Sequence, residues 1–348
     1  MTTRVLSDRD GRALDAALQH AALFGRDDRV AVTVRGRDRV KLLHAMLTQE
    51  VKALPPWSVK PAALCDAQGV MLAAFSMVLE PERVVLWTDR PQGELLAATL
   101  DRYVIADDVE VALDEDLALV GLVGPEAPGV LAALGLTLPD AELATPVQIA
   151  SKQAVLWQQV TGGRSASPHG EGVPELLLSL QRDDLGDVVG ALVAHGAAIG
   201  CHAAADALRV LAGVPLLGQD IDDGSTPLEA GLAATVSYRK GCYLGQEAIA
   251  MMTYRGQMRR HLCWVQATGS ARPDVGWALR TPDGKRAGRM GTAVVLPDGR
   301  CLGLAMVPRK AYVVGGELVA ASEGGETASV RILGTTAAGA LSSGAEPA

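Results

Sequence analysis

The sequence lacks a Cys-x-x-Cys pair, and its five cysteines are an odd number. This pattern excludes a disulfide framework and a local zinc or cluster ligand set. It also lacks His-x-His and His-Glu-x-x-His motifs, so no metal site is predicted. The N-terminus has no apolar signal core, and no apolar run reaches the roughly eighteen residues that a membrane span requires. We therefore predict a cytoplasmic protein with reduced thiols and no membrane partner.

The sequence also lacks an excess of basic residues. Its formal net charge is -8 and its pI is about 5.3, which argues against a nucleic-acid-binding surface, so no direct nucleic-acid partner is predicted. A local basic group remains: Arg255, Arg259 and Arg260 lie close together in the sequence and could bind an anion. The 348 residues, with 49% hydrophobic and 21% charged side chains, predict a globular chain of two or more domains.

The sequence does contain one segment rich in chemically functional residues, at positions 240–247, which reads Lys-Gly-Cys-Tyr-Leu-Gly-Gln-Glu. A strand-like run precedes it at residues 233–238, and a helix-like run follows it at residues 248–252. Glycines beside Cys242 and Tyr243 allow a sharp turn. The amides that open a helix carry partial positive charge, and Lys240 adds a cation, so both favour the thiolate of Cys242. The alternative from these residues is that Cys242 is a small buried side chain.

Flanking segments extend the pattern over most of the chain. In the second half these are GVPLLGQD (213–220), PLEAGL (227–232) and YRG (254–256); in the first half they are GRDRV (36–40), LTQEV (47–51), DAQG (66–69) and RYVI (102–105). Together with the segment at 240–247, they resemble the YgfZ family of folate-binding proteins. That family belongs to a superfamily that includes the glycine-cleavage T protein, an aminomethyltransferase.

The resemblance implies an α+β fold with several domains and a small C-terminal β-barrel. We expect a folate-binding α+β domain at residues 1–140, a second α+β domain with the cysteine segment at 141–256, a β-barrel at 257–336 and a flexible tail at 337–348. The alternation of sheet and helix along the chain, with hairpins, independently favours α+β over a parallel doubly wound sheet. The pattern predicts a helix over residues 9–23, with Ser7 or Asp8 as its N-cap, and a second helix over 39–47. Two strand-like runs, at 70–79 and 83–87, predict a hairpin around residues 80–82.

The resemblance also implies a site. Cys242 would be the essential thiol, and tetrahydrofolate or a derivative would bind in a central pocket lined by residues 231–238, the cysteine segment and a polar loop at 161–175. The residues expected to bind the cofactor are Arg209, Glu229, Tyr238, Lys240, Gly241, Tyr243, Gly245, Gln246, Glu247 and Arg255. A folate needs apolar walls, a few in-plane polar partners and cations near its glutamate tail.

The implied function is a folate-binding accessory protein in iron-sulfur cluster assembly or repair. It would support cluster enzymes, including enzymes that modify tRNA, with iron-sulfur proteins or assembly factors as partners. An alternative is a tetrahydrofolate-dependent aminomethyltransferase or demethylase. Those enzymes carry an aspartate after a glycine turn, whereas here Gly69 is followed by apolar residues without a carboxylate, which disfavours methylene transfer.

A third alternative is a binding module that has lost its cofactor. Leu211 stands where relatives often have glutamate, and Met251 stands where the family motif usually continues to an arginine. Both departures would alter a folate pocket, and titration with tetrahydrofolate separates this alternative from the other two.

Overall fold

A computed structural model describes residues 4–159, 175–255 and 258–337. Most of the polar loop predicted at 161–175 lies outside these residues, as does the tail predicted at 337–348, apart from residue 337. The helices are α1 (Asp8–Gln19), α2 (Arg39–Met46), α3 (Gly93–Arg102), α4 (Ala127–Ala133), α5 (Leu185–Ala194), α6 (His202–Ala212) and α7 (Gln246–Arg255).

The strands form three sheets. They are β1 (Arg4–Val5), β2 (Ala22–Gly25), β3 (Arg29–Arg35), β4 (Val59–Cys65), β5 (Met71–Leu79), β6 (Arg83–Asp89), β7 (Glu110–Asp114), β8 (Leu117–Val123), β9 (Ala144–Ile149), β10 (Lys152–Gln158), β11 (Glu175–Gln181), β12 (Ala198–Ile199), β13 (Arg260–Ala267), β14 (Ala278–Arg280), β15 (Arg286–Val295), β16 (Cys301–Pro308), β17 (Glu317–Ala321) and β18 (Thr327–Thr335).

The first sheet has five antiparallel strands in the order β4-β5-β6-β3-β7. Side chains on β5 alternate between buried and partly exposed from Met71 to Ser76, as expected of a strand with one face on a core. Helices α2 and α3 pack their leucines on that face: Leu43, Leu96 and Leu100 are fully buried with β3 and β5. The predicted helix at 39–47 and the predicted hairpin around residues 80–82 are therefore confirmed.

The second sheet has six strands in the order β12-β2-β8-β11-β10-β9. It combines strands from both sides of residue 140, the predicted limit of the first domain, so this sheet does not follow that limit. Strand β2 corrects a prediction, because the helix expected over residues 9–23 ends at Gln19. Backbone pairing of Leu23 with Leu122 in β8 outweighs the local helical pattern. Ser7 caps α1 as predicted, with a capping box to Asp10.

The third sheet closes into a barrel of six strands in the order β15-β14-β17-β18-β13-β16, because β16 also pairs with β15. Strand β1 adds to β15 in parallel, which ties the start of the chain to the barrel. The indole of Trp264 in β13 is buried and donates to the carbonyl of Val210 in α6 at 2.9 Å. The α+β class and the small C-terminal barrel are confirmed. No helix among the described residues is long and apolar enough to cross a membrane.

Candidate functional site: a cysteine loop and a separate cavity

The segment at residues 240–247, called the cysteine loop below, docks on the first sheet and on α2. The Leu244 amide donates to the Ala45 carbonyl at 3.3 Å. Gly245 has a φ of 80° and packs so closely that a Cβ atom there would lie 2.3 Å from the carbonyl oxygen of Asp66. Any other side chain would clash with the backbone of the turn at 66–69, so glycine is required for this docking.

The residues before the cysteine loop are not a strand, which corrects the prediction for residues 233–238. Residues 233–235 form a single 3-10 turn. The backbone beyond it bonds to one residue of the first domain: the Ser237 amide donates to the Thr48 carbonyl at 2.9 Å, and the Thr48 hydroxyl donates to the Thr235 carbonyl at 2.6 Å. These bonds take the place of a strand ladder, and they fix the direction in which the chain enters the cysteine loop.

Lys240 is the buried anchor of the cysteine loop. Its Nζ donates to three carbonyl oxygens at the end of α2 and just beyond it: His44 at 2.5 Å, Leu47 at 2.6 Å and Gln49 at 3.0 Å. It also lies 4.9 Å from the ring centroid of Tyr243. Burial lowers the pKa of Lys240 to about 8.

Lys240 makes no hydrogen bond to Cys242, so the activation of that thiol by the lysine charge stays a prediction. All three ammonium hydrogens are used on carbonyls of residues 44–49. Moreover, α7 begins at Gln246, four residues after the cysteine, so Cys242 does not lie at its first turn. The helix-start reason for an activated thiol is therefore wrong, because the first turn of α7 does not reach Cys242.

Cys242 nevertheless differs from the other cysteines, because it is exposed. Cys65, Cys263 and Cys301 are buried, and Cys201 is partly buried. Burial raises the pKa of Cys65 and of Cys263 to about 12. The alternative that Cys242 is a small buried side chain is therefore wrong. The loop presents the one fully exposed thiol of the described residues.

Tyr243, next to that thiol, is only 9% exposed. Burial, together with nearby Cys65 and Tyr238, raises its pKa to about 12. Tyr238 itself is 57% exposed. Gly241 and Glu247 are exposed and Gln246 is partly exposed. The cysteine loop thus has an inner row that packs on the first domain and an outer row that faces solvent.

Three other predicted cofactor residues lie outside the loop. Arg209 binds protein groups through all three guanidinium nitrogens: Asp206 at 2.6 Å, Asp220 at 2.7 Å and the Thr292 hydroxyl at 2.6 Å. It joins α6 to the barrel, because Thr292 is on β15. The structure thus gives Arg209 a packing role.

Glu229 is 3% exposed and lies 3.5 Å from the guanidinium of Arg260. Arg260 also donates to Asp222 at 2.5 Å, and its neighbour Arg259 has no ion-pair partner among the described residues. Arg255 is the last residue of α7, and its side chain lies outside the described part of the structure.

A cavity of about 730 Å³ opens elsewhere, between the first sheet, the second sheet and α6. Its wall is made by Phe24, Gly25, Asp27, Asp28, Asp89, Arg90, Pro91, Gln92, Gly200, Cys201, His202, Leu216, Leu217 and Gln219. None of the cofactor-binding residues predicted from the sequence is among them. The wall residues come from four separate segments, so no local motif could have identified them.

The cavity wall carries two buried acceptors without a donor. Asp89 Oδ1 and Gln92 Oε1 accept no hydrogen bond from any described residue. Arg29 Nε lies 3.1 Å from Asp89 Oδ1, a distance for an ion pair but without hydrogen-bond geometry. Burial raises the pKa of Asp89 despite this arginine. Unsatisfied buried acceptors cost folding free energy, and a water molecule or a ligand N–H that reaches them would offset that cost.

Below the cavity lies a layer of paired charges. Arg26 donates to Glu175 at 2.5 Å and to Asp28 at 3.1 Å. These three side chains are mostly buried, with 14% to 28% of each exposed. Each of these charges has a partner of opposite sign, so the layer supports the cavity wall.

The fold is that of an aminomethyltransferase. The structure of the glycine cleavage system aminomethyltransferase T from Bartonella henselae superposes with a TM-score of 0.78 and 20% identity, over 93% of this chain and 88% of that one. The family model described as the GCVT N-terminal domain matches residues 6–240, more than half of the chain.

Curated relatives place the chain more narrowly. A tRNA-modifying protein YgfZ from Klebsiella pneumoniae (strain 342) is 32% identical over 79% of this chain and 82% of the relative. A protein of the same name from Yersinia enterocolitica is 29% identical over 80% of this chain and 81% of the relative. The chain therefore belongs to the YgfZ family, within the aminomethyltransferase-like superfamily.

Proposed function

We propose that this protein is a tetrahydrofolate-binding accessory protein of iron-sulfur cluster assembly or repair, which supports enzymes that modify tRNA. The reduced folate binds in the cavity, and Cys242 is the essential thiol. Membership of the YgfZ family supports the link to folate and to tRNA modification, because the relatives are named tRNA-modifying proteins. The iron-sulfur partners rest on the sequence resemblance.

The observation that carries the folate proposal is a pair of acceptors in the cavity wall: Gln92 Oε1 accepts no hydrogen bond from a described residue, and Asp89 Oδ1 has only the ion pair with Arg29. A pterin presents several N–H donors along one edge of a flat ring, and Asp89 and Gln92 offer two buried acceptors. Phe24 and Leu217 supply apolar wall, and Arg90 supplies a cation, although it also binds Glu115 at 2.7 Å. The volume of about 730 Å³ is within the range of small-molecule sites.

In this proposal the bound folate supplies a carrier for a one-carbon group, while the protein's side chains hold the ring and exclude water. Aminomethyl transfer is disfavoured for the reason found in the sequence. Residues 70–75 carry no carboxylate, and Ala73 in β5 is buried. Aminomethyl transfer needs an acidic side chain for proton transfer at the amine nitrogen, and these residues do not supply one.

Titration with tetrahydrofolate tests the cavity. Asp89→Asn and Gln92→Leu should each weaken binding by about 10-fold or more, since each removes or neutralises an acceptor for a ligand N–H. Gln153→Leu, on the exposed side of β10, is the matched control and should bind as the parent does. Unchanged affinity in both cavity variants would place the folate elsewhere, and absence of any binding would favour the module without a cofactor.

Complementation of a deletion strain tests the thiol. Cys242→Ser should fold normally, because the side chain is exposed, yet fail to restore the activity of a cluster-dependent tRNA-modifying enzyme under oxidative stress. Cys301→Ala is the control, since it changes a cysteine outside both the loop and the cavity wall. Full complementation by Cys242→Ser would remove the thiol from the mechanism and leave folate binding as the function.

A further inference from the structure

Three cations meet at one end of the barrel. The Arg309 amide donates to the Arg259 carbonyl at 2.9 Å, so these two residues are neighbours across β13 and β16, and Lys310 follows directly. All three side chains are exposed, and none has an ion pair with a described carboxylate. We call Arg259, Arg309 and Lys310 the basic rim.

Arg260, the residue after Arg259, does have acidic partners. Arg260 is paired with Asp222 at 2.5 Å and lies 3.5 Å from Glu229. The basic rim has no such partner among the described residues, although the whole chain has a net charge of -8. Its charge also affects His261, because burial and then Arg309 lower the pKa of that ring. A cluster of exposed cations creates a local positive potential, which attracts anions even on a protein of negative net charge.

Exposed apolar side chains lie near the basic rim in the sequence. Val313 and Val314 are each 63% exposed and follow Lys310 by three and four residues. Tyr254 is 79% exposed, near the end of α7, and lies five residues before Arg259. Cations combined with an exposed aromatic ring are the features by which proteins hold a nucleic-acid backbone and stack on a base.

We propose that the basic rim binds tRNA directly, through its phosphates, and that Tyr254, five residues before Arg259, contacts an unstacked base. The proposal extends the proposed function, since it names tRNA itself as a partner of this chain. It also reverses the expectation drawn from net charge, because a local cluster sets the binding surface. A protein partner is the alternative, because arginine is enriched in protein interfaces; tRNA is favoured because three cations lie together without a described carboxylate beside them. Three cations are also fewer than the four to eight typical of lipid-binding clusters.

Binding of a fluorescent, unmodified tRNA transcript to the full-length protein tests the proposal. The triple variant Arg259→Gln, Arg309→Gln, Lys310→Gln should bind at least about 10-fold more weakly at moderate salt. The slope of log affinity against log salt should fall by about 2 to 3, roughly one for each phosphate that no longer meets a cation.

A matched control removes the same three charges from exposed cations elsewhere: Arg12→Gln, Arg102→Gln, Arg286→Gln. It should bind tRNA nearly as the parent does. Tyr254→Ala should weaken binding several-fold without changing the salt slope, since stacking is not ionic. An equal loss in the control triple, or no tRNA binding by the parent even at low salt, would overturn the proposal.

Folate titration of the same variants separates this proposal from the proposed function. The basic-rim triple should bind tetrahydrofolate as the parent does, because its three residues do not line the cavity. If tRNA binding is absent while folate binding is intact, only the direct tRNA contact fails. If folate binding is absent in the parent, the proposed function fails, whatever the tRNA result.

Discussion

The cysteine loop and the cavity differ in how their buried polar groups are hydrogen-bonded. In the loop, Lys240 is buried with three N–H donors on three carbonyls. In the cavity, Asp89 Oδ1 and Gln92 Oε1 are buried and accept from no described donor. A satisfied buried group holds a structure together, and an unsatisfied one points to a missing partner. The comparison assigns Lys240 to architecture, and in the proposed function the cavity acceptors bind the folate.

Cys242 and the cavity wall are also formed by different residues. The cysteine loop presents its thiol to solvent, and no residue of the loop lines the cavity. A ligand enclosed by Asp89 and Gln92 would therefore be held by residues distinct from those that carry Cys242. The two regions can be altered independently, and this makes the comparison testable.

The largest expected effect is on thiol reactivity. Cys242 should react with limiting iodoacetamide at least about 100-fold faster than Cys65 or Cys263 in the folded protein, because a thiol of pKa about 12 is almost wholly protonated at neutral pH and these two are buried. Peptide mapping after a short pulse measures the rates, and labelling in urea is the control in which the differences should shrink. Comparable labelling of Cys65 or Cys263 without urea would contradict the assignment of Cys242 as the accessible thiol.

Local sequence patterns predict those elements whose stability is mainly local. The helix α2 and the hairpin of β5 and β6 follow from the spacing of their apolar residues, and the cap of α1 follows from Ser7 and Asp10. The predictions that cover residues 22–23 and 233–238 are wrong, for the same reason in both cases. The backbone partners of these residues are far away in the chain, on β8 and at Thr48, and no local pattern reports such partners.

The site is predictable only in part. Glycines around Cys242 and the family resemblance point to the cysteine loop. The burial of Lys240 is not visible in the sequence, because its acceptors lie about 190 residues earlier in the chain. The cavity cannot be predicted from the sequence either. Asp89 ends β6 and Gln92 lies in the turn that follows, and no local pattern shows that their side-chain oxygens are buried without a hydrogen-bond donor.

A smaller effect tests the other half of the comparison, the architectural role of Lys240. Lys240→Met keeps the apolar stem and removes the ammonium, which leaves three carbonyls of residues 44–49 without their donor. We expect the free energy of unfolding to fall by about 2 to 3 kcal/mol, because unsatisfied buried acceptors cost on this order and desolvation of the lost charge offsets a part. Urea unfolding measures the change. Arg239→Met, an exposed neighbour, is the control and should change stability by less than about 0.5 kcal/mol. If Lys240→Met were as stable as Arg239→Met but no longer supported growth in the deletion strain, Lys240 would act in the chemistry of the loop, and its three hydrogen bonds would not be what holds the loop in place.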